Sequence, residues 1–306
     1  MNDIFFLVLP FFALVVAGYV AALGRIIDAP GVVGLNRFVY FFALPALLFN
    51  KMAESDFQRL VNESAFVLAH LVAGLAVFAT VWFLAQALFH AERNNRAVMA
   101  LAGCYGNIGF LGIPLLVSVL GGGAAAPLSL MLLVDVAFFI PFATILMNPM
   151  GAGQVRHIIV RGVAKNPLIL AIVVGTLFSA TGIGLPGELA DFTNLLGQAA
   201  APAAMFALGA VLAGRPIADG VGEASFASLA KLALHPLIMW GAMTAFGVSD
   251  EWRLVATLGA ATPVAAALFV IAQEHNAMPV RASTAVLLST AVSMITLPLL
   301  ITWLMH

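Results

Sequence analysis

The sequence predicts an all-α integral membrane protein, and three observations carry that prediction. Of its 306 residues 63% are hydrophobic and 9% are charged, whereas a soluble domain carries about a quarter charged residues. The mean hydropathy is +1.08, and nearly every charged residue falls between apolar runs of about 20 residues, the length of a bilayer-spanning helix. Prolines and glycines recur inside those runs at related positions in the two halves of the chain, which points to an internal repeat. With a formal net charge of -1 and no basic patch, nucleic-acid binding is excluded. Cys104 is the single cysteine, so no intramolecular disulfide can form.

Ten spans follow from the apolar runs, at residues 4–23, 33–52, 64–89, 97–120, 127–147, 166–183, 189–212, 226–246, 253–272 and 283–304. The first begins after Met1-Asn2-Asp3, which lacks a basic start and a cleavage pattern, and is read as a retained span rather than a signal peptide. The second carries Pro45 and ends at Asn50-Lys51, and the third follows a loop with Glu54, Asp56 and Glu63. The fourth contains the most irregular stretch of the chain, Gly106 to Pro114. The fifth holds Asp135 in an apolar setting, and the longest connection, from about Asn148 to Lys165, leaves no room for a soluble domain. The sixth opens on Asn166-Pro167, the seventh carries Gln198 and Pro202, and the eighth holds Lys231 close enough to its start to snorkel. The ninth contains Gly259-Ala-Ala-Thr-Pro-Val264 and the tenth contains Pro298. Trp82, Trp240, Trp252 and Trp303 fall near span ends, as interfacial aromatics do.

Placing the N-terminus outside puts Arg25, Arg37, Arg93, Arg96, Arg156, Arg161, Lys165, Arg215 and Arg281 on the cytoplasmic side. Lys51, Arg59 and Arg253 then fall outside, and the bias predicts both termini outside the cytoplasm. Shifting the chain by 157 residues overlays Pro10 on Pro167, Gly18 on Gly175, Pro45 on Pro202 and Pro141 on Pro298. Near the fourth and ninth spans the overlay slips to 149, where Pro114 meets Pro263. Residues 1–150 and 151–306 are therefore expected to be two five-helix repeats, inverted in the membrane because each holds an odd number of spans.

A proline inside a membrane helix often only kinks it. Pro114 has Gly106, Gly109 and Gly112 before it, and Pro263 follows small residues and Thr262, so both are read as breaks. Two broken helices in equivalent places of inverted repeats, crossing at the midplane, mark a substrate site. Half-helix N-termini there present N–H groups and a partial positive charge, which suits a carboxylate.

The pattern Gly106-Asn-Ile-Gly-Phe-Leu-Gly-Ile-Pro114 resembles the fourth-span crossover of the auxin efflux carrier family, which includes plant auxin carriers and bacterial malonate or malate permeases. Phe42-Ala-Leu-Pro45 resembles its second span, Lys165-Asn166-Pro167 the start of its sixth, and Met205-Phe-Ala-Leu-Gly209 its seventh. The resemblance covers essentially the whole chain. It implies a ten-span carrier related to the bile-acid symporter fold, with scaffold and transport domains each built from both repeats, elevator-type transport, and a homodimer through the scaffold domain. It also implies that Asn107 contacts the substrate carboxylate, that Asp135 stands where plant members carry a site glutamine, and that Gln198 stands where they carry an acid. The long cytoplasmic loop of many plant members is missing, which favours a bacterial-type carrier in the inner membrane.

Read from chemistry alone, Asp135 is the sharpest single residue, because a carboxylate at membrane depth is costly. It is expected to carry a proton with the substrate; the alternative is a satisfied acid bonded to a neighbouring helix. Asn107 can grip a carboxylate with its amide or cap a half-helix. Thr262 can serve the substrate or the freed backbone, and Gln198 can face substrate or link helices. Asn50 with Lys51 can form an outer vestibule or an ordinary interfacial end, and His70 and His235 are read as packed histidines. The expected binding set is thus Asn107, Gly106, Gly109, Pro114, Asp135, Thr262, Pro263, Gln198 and Asn50, with no metal and no cofactor. The expected function is transport of a small organic anion. A cation/proton antiporter of the same broken-helix class is the rival, and it usually needs more than one buried acid. An enzyme would have to use Cys104 with His70 or His235, a pairing whose spacing carries no signal.

Overall fold

The computed structural model describes residues 2–147, 164–213 and 220–305, with side chains from residue 8 onward. Arg156, Arg161, Arg215, most of the long connection and the expected repeat boundary at 150 lie outside the described residues. The described chain is helical, with one isolated β-bridge and no strand.

The helices are α1 (Asn2–Leu23), α2 (Ala29–Ala53), a short α3 (Phe57–Asn62), α4 (Ala65–Phe89), α5 (Arg93–Cys104), α6 (Ile108–Leu120) and α7 (Gly122–Met147). They continue as α8 (Pro167–Ala180), α9 (Gly187–Leu212), α10 (Val221–Ala245), α11 (Asp250–Ala260), α12 (Ala267–Glu274) and α13 (Pro279–Met305). Local sequence explains the starts. Asp28 caps α2 by accepting from the Gly31 N–H at 2.9 Å, and Asn166 caps α8 by accepting from Leu168 N–H at 2.9 Å, with Pro167 in the first turn where no N–H is needed. Among the described residues, six helices can by length and composition cross a membrane, namely α2, α4, α7, α9, α10 and α13; α6, α8 and residues 8–23 of α1 are shorter apolar helices. Large apolar side chains such as Val20, Phe83, Leu195, Leu237 and Ile295 remain exposed, as a lipid-facing surface requires.

Among the described residues four wide turns interrupt the regular helical ladder, and each has the same sequence cause. In Val39–Ala43, Ile108–Gly112, Asp135–Phe139 and Ala230–Leu234 the closing N–H reaches back five residues rather than four. The next residue but one is in each case a proline: Pro45, Pro114, Pro141 and Pro236. Proline has no N–H and its ring crowds the carbonyl four residues back, so widening the preceding turn relieves the clash.

Helices α1, α2, α8 and α9 pack mainly on one another, and the remaining long helices gather around the broken pair. Lipid supplies no hydrophobic drive between helices, so close backbone approach at small residues does that work. Gly18 of α1 lies so near the Phe206 carbonyl of α9 that a Cβ would collide with it. Gly175 of α8 makes the same approach to Phe49 of α2, where a Cβ would stand 2.8 Å from the carbonyl oxygen. Both partners of the second contact are 157 residues from their counterparts in the first. A matching offset links two cation–π pairs, Arg96 over Trp82 at 4.6 Å and Arg253 over Trp240 at 4.5 Å.

Candidate functional site at the crossed breaks

Helix α5 ends at Cys104 and the chain turns extended at Tyr105, whose φ and ψ are -90° and 105°. Helix α11 ends at Ala260, and α12 does not begin until Ala267. The two gaps cross and pair as an antiparallel bridge between Gly106 and Val264. Asn107 N–H donates to the Pro263 carbonyl at 2.8 Å, and Ala265 N–H donates to the Tyr105 carbonyl at 3.2 Å. Backbone freed from two helices is thereby satisfied inside protein, as membrane depth demands. Glycine is required at 106, because a Cβ there would stand 2.6 Å from Thr262 Oγ1 and 3.0 Å from Lys231 Nζ.

The register differs from the one the prolines suggest. Gly106 faces Val264, 158 residues away, so the crossover keeps the general offset to within one residue and does not use the slipped register of 149. Pro263 lies in its gap, whereas Pro114 lies beyond the gap in α6, where its consequence is the wide turn Ile108–Gly112.

Around the bridge most polar groups are spoken for. Thr262 Oγ1 donates to the Gly259 carbonyl at 2.7 Å, the backbone role left open by the sequence. Ser289 of α13 accepts from the Val264 N–H at 3.0 Å. The Asn107 carbonyl accepts from Leu111 and Gly112 N–H at 3.0 and 2.9 Å and so starts α6. The Asn107 side chain makes no capping bond, and its Nδ2 is buried without a partner. A buried amide with free donors is a costly arrangement that a bound acceptor would relieve.

Beside the crossover lies a cluster of ionisable groups. Asp135 opens the wide turn of α7 and is fully buried, with Oδ1 at 3.0 Å from His70 Nε2 of α4 and Oδ2 unpartnered. Lys231 sits in the wide turn of α10, also fully buried, with its Nζ on the Ala260 carbonyl and at 3.2 Å from His235 Nδ1. Asp135 is within electrostatic reach of both Tyr105 and Lys231. His70 Nδ1 and His235 Nε2 are buried and unpartnered as well. Lys231 is therefore no snorkelling residue. Because α10 begins at Val221, five residues before the expected start of the span, the lysine falls near the middle of the helix, and the His235-Pro236 pair was the signal of an inward-turned segment.

Of the expected site residues, Gly106, Asn107, Thr262 and Pro263 meet at the bridge. Gly109 follows in α6 facing Leu132 of α7, with 3.7 Å between a built Cβ and that side chain. Asn50 is buried and directs its amide at Thr193 of α9 at 3.3 Å, a link between two helices. Lys51 is paired with Glu54 at 3.1 Å, and Gln198 is exposed on α9. Cys104 donates its thiol to the Leu101 carbonyl at 3.7 Å.

Comparison with known proteins agrees with this architecture. The family profile described as "Membrane transport protein" matches residues 3–159 and 152–301. The chain belongs to the auxin efflux carrier family of membrane transport proteins. It is 34% identical to the "Putative malonate transporter" of Rhizobium meliloti (strain 1021) over 304 residues, covering 97% of this chain and 94% of the relative. It is 26% identical to the "Uncharacterized transporter YfdV" of Escherichia coli (strain K12) over 297 residues, 95% of this chain and 94% of that one. A 140-residue stretch, 44% of the chain, is 31% identical to "Probable auxin efflux carrier component 1b" of Oryza sativa subsp. japonica, of which it covers 25%. This family member is a multi-pass membrane protein, and its family role is transport.

Proposed function

We propose that this carrier moves small organic anions, carboxylates such as malonate, malate or auxin-like acids, by elevator-type alternating access with proton coupling through Asp135. One observation carries the proposal: the Asn107 amide is buried at the crossed breaks with Nδ2 unpartnered, next to the N-terminus of α6. Donors and a helix N-terminus together fit a carboxylate oxygen. The name of the Rhizobium relative points to the same substrate class.

The elevator reading rests on two inverted five-helix repeats making ten spans. In its support, the contacts of Gly18 with Phe206 and Gly175 with Phe49, the two Arg–Trp pairs, and the reciprocal bridge bonds are each related by 157 or 158 residues. Helices α1, α2, α8 and α9 would be the scaffold, with the dimer formed through α2 and α9. The other long helices would form the moving domain, in an inner membrane with both termini outside.

Uptake of labelled malonate, malate and indole-3-acetate into proteoliposomes, with and without a pH gradient, tests the reading. Accumulation of at least one acid should be driven by an acid exterior and weakened by Asn107→Ala. Wild-type carrier that moves none of them, or that moves protons against sodium or potassium without any organic acid, overturns it in favour of the antiporter.

A further inference from the structure

We propose that the groove between α10, α11 and α13 is a binding site for one acyl chain of a zwitterionic phospholipid, with Arg253 and Asp250 holding its headgroup. The inference is independent of the carboxylate reading above and concerns the lipid-facing side of the second break.

The groove has a volume of about 310 Å³ and largely apolar walls, and one stripe of each helix lines it. On α11 the stripe is Thr257 and, four residues on, Ala261, which closes the helix at the break. Arg253 is one turn further along the same stripe, and its guanidinium lies over the ring of Trp240, itself a groove residue, at 4.5 Å. On α10 the stripe is Ala233, Leu237 and Trp240; on α13 it is Thr296, Leu300 and Trp303. Ser228 of α10 bonds the Ala285 carbonyl of α13 at 3.2 Å, and the two helices meet again at the groove further along both, so they run in the same direction. The arginine and both indoles therefore gather at one end, while Ala233 and Ala261 lie at the other. From Arg253 to Ala261 the helix rises about 12 Å. Leu237 and Trp303 are exposed, so the slot opens towards lipid.

The first half of the chain closes the corresponding place with its own side chains. At an offset of 157 or 158 residues Phe78 stands for Pro236, Trp82 for Trp240, Arg96 for Arg253 and Phe139 for Thr296. There the Phe78 ring lies 6.1 Å from Trp82 and 5.1 Å from Phe142, and Phe139 is fully buried. With threonine where Phe139 would be and proline where Phe78 would be, the second half lacks those rings. A hydrocarbon chain supplies the missing contacts.

Charge at the arginine end fixes the headgroup. Asp250 accepts from Arg253 at 2.7 Å and is 89% exposed, so a positive and a negative group stand side by side there. The guanidinium has five N–H donors, and Nε has no hydrogen-bond partner among the described residues. A phosphate suits Arg253 and a primary ammonium suits Asp250. The neighbouring indoles are of the type that sits at headgroup level. An anionic headgroup without an ammonium would set like charge against Asp250.

The test uses the full chain in detergent micelles with a phosphatidylethanolamine that carries a photoreactive group on its acyl chain. Crosslinks mapped by mass spectrometry should concentrate on the groove residues of α10, α11 and α13. Unlabelled phosphatidylethanolamine should compete at least about tenfold better than phosphatidylglycerol or a free fatty acid. Thr296→Phe, which supplies the ring that Phe139 supplies in the first half, should lower groove labelling at least about tenfold without lowering Tm. Arg253→Gln should keep the labelled positions and lose the headgroup preference. Labelling spread equally over other lipid-facing residues such as Phe83 and Leu195 overturns the inference. So does equal competition by phosphatidylglycerol or by the fatty acid, or wild-type labelling of a folded Thr296→Phe. If Thr296→Phe lowers Tm, Ala233→Phe closes the groove from α10 and decides by the same measure.

Discussion

The break at Tyr105–Asn107 and the break at Ala261–Ala266 share one bridge, yet the first is left chemically open and the second is closed. At the second break Thr262 bonds Gly259, Ser289 holds the Val264 N–H, Pro263 has no N–H to satisfy, and Lys231 covers the Ala260 carbonyl. At the first break the backbone is equally well served, but the Asn107 amide hydrogens have no partner. An unpaired buried donor costs stability, whereas a paired hydroxyl adds it. In the proposed carrier the two jobs would differ accordingly: the second break a fixed wall, the first the face that meets the ligand.

The comparison breaks most visibly if the bridge itself is pried open. Gly106→Ala places a methyl 2.6 Å from Thr262 Oγ1 and should cost roughly 3 kcal/mol, seen as a lowered Tm and lost transport. Gly109→Ala, with its nearest side-chain atom at 3.7 Å, should be close to neutral. Equal damage from both would mean that the glycines serve flexibility rather than approach.

Next comes the asymmetry between the polar side chains. Asn107→Ala should weaken malonate binding by about 2 kcal/mol, roughly thirtyfold, while leaving Tm almost unchanged, because the amide nitrogen has no partner within the protein. Thr262→Val should do the reverse, lowering stability by about 1 kcal/mol with little change in affinity. Thermal unfolding and isothermal titration on the same samples separate the two, and matched losses in both variants would erase the distinction between wall and ligand face.

A smaller effect concerns pH. Asp135→Asn keeps the side-chain volume but cannot take up a proton at this position. In the wild type an acid exterior should raise accumulation by at least about tenfold per pH unit, because the proton enters with the anion. In the variant, uptake should become flat with the gradient while counterflow of malonate continues. The smallest expected effect is Ser289→Ala, which leaves the Val264 N–H unpaired and should cost about 1 kcal/mol in thermal unfolding without altering pH dependence.

Much of this arrangement was legible in the sequence for definite reasons. Asn166-Pro167 announces a helix start because both residues favour it, and glycines beside Asn107 in an apolar run announce a break. The burial of Asp135 was legible because it stands in an apolar run, and its contact with His70 of α4 is the bond to a neighbouring helix that the sequence left open as the alternative to a coupling role. Lys231 was not, since a long basic side chain near the edge of an apolar run reads as interfacial, and only the true start of α10 moves it inward. Pro114 was misplaced in register because proline marks both a gap and a widened turn, and sequence alone does not separate them. Gln198 and Asn50 depend on which way a helix faces, which small residues such as Gly18 and Gly175 set through packing.

The antiparallel bridge has a mechanical meaning beyond its bonds. Asn107 to Pro263 and Ala265 to Tyr105 are reciprocal, so neither arm can slip by one residue without severing both. Two hydrogen bonds thus act as a rivet through the middle of the protein. If the carrier works as proposed, the riveted pair would travel as one part, and the ligand would meet the same grip on either side of the membrane.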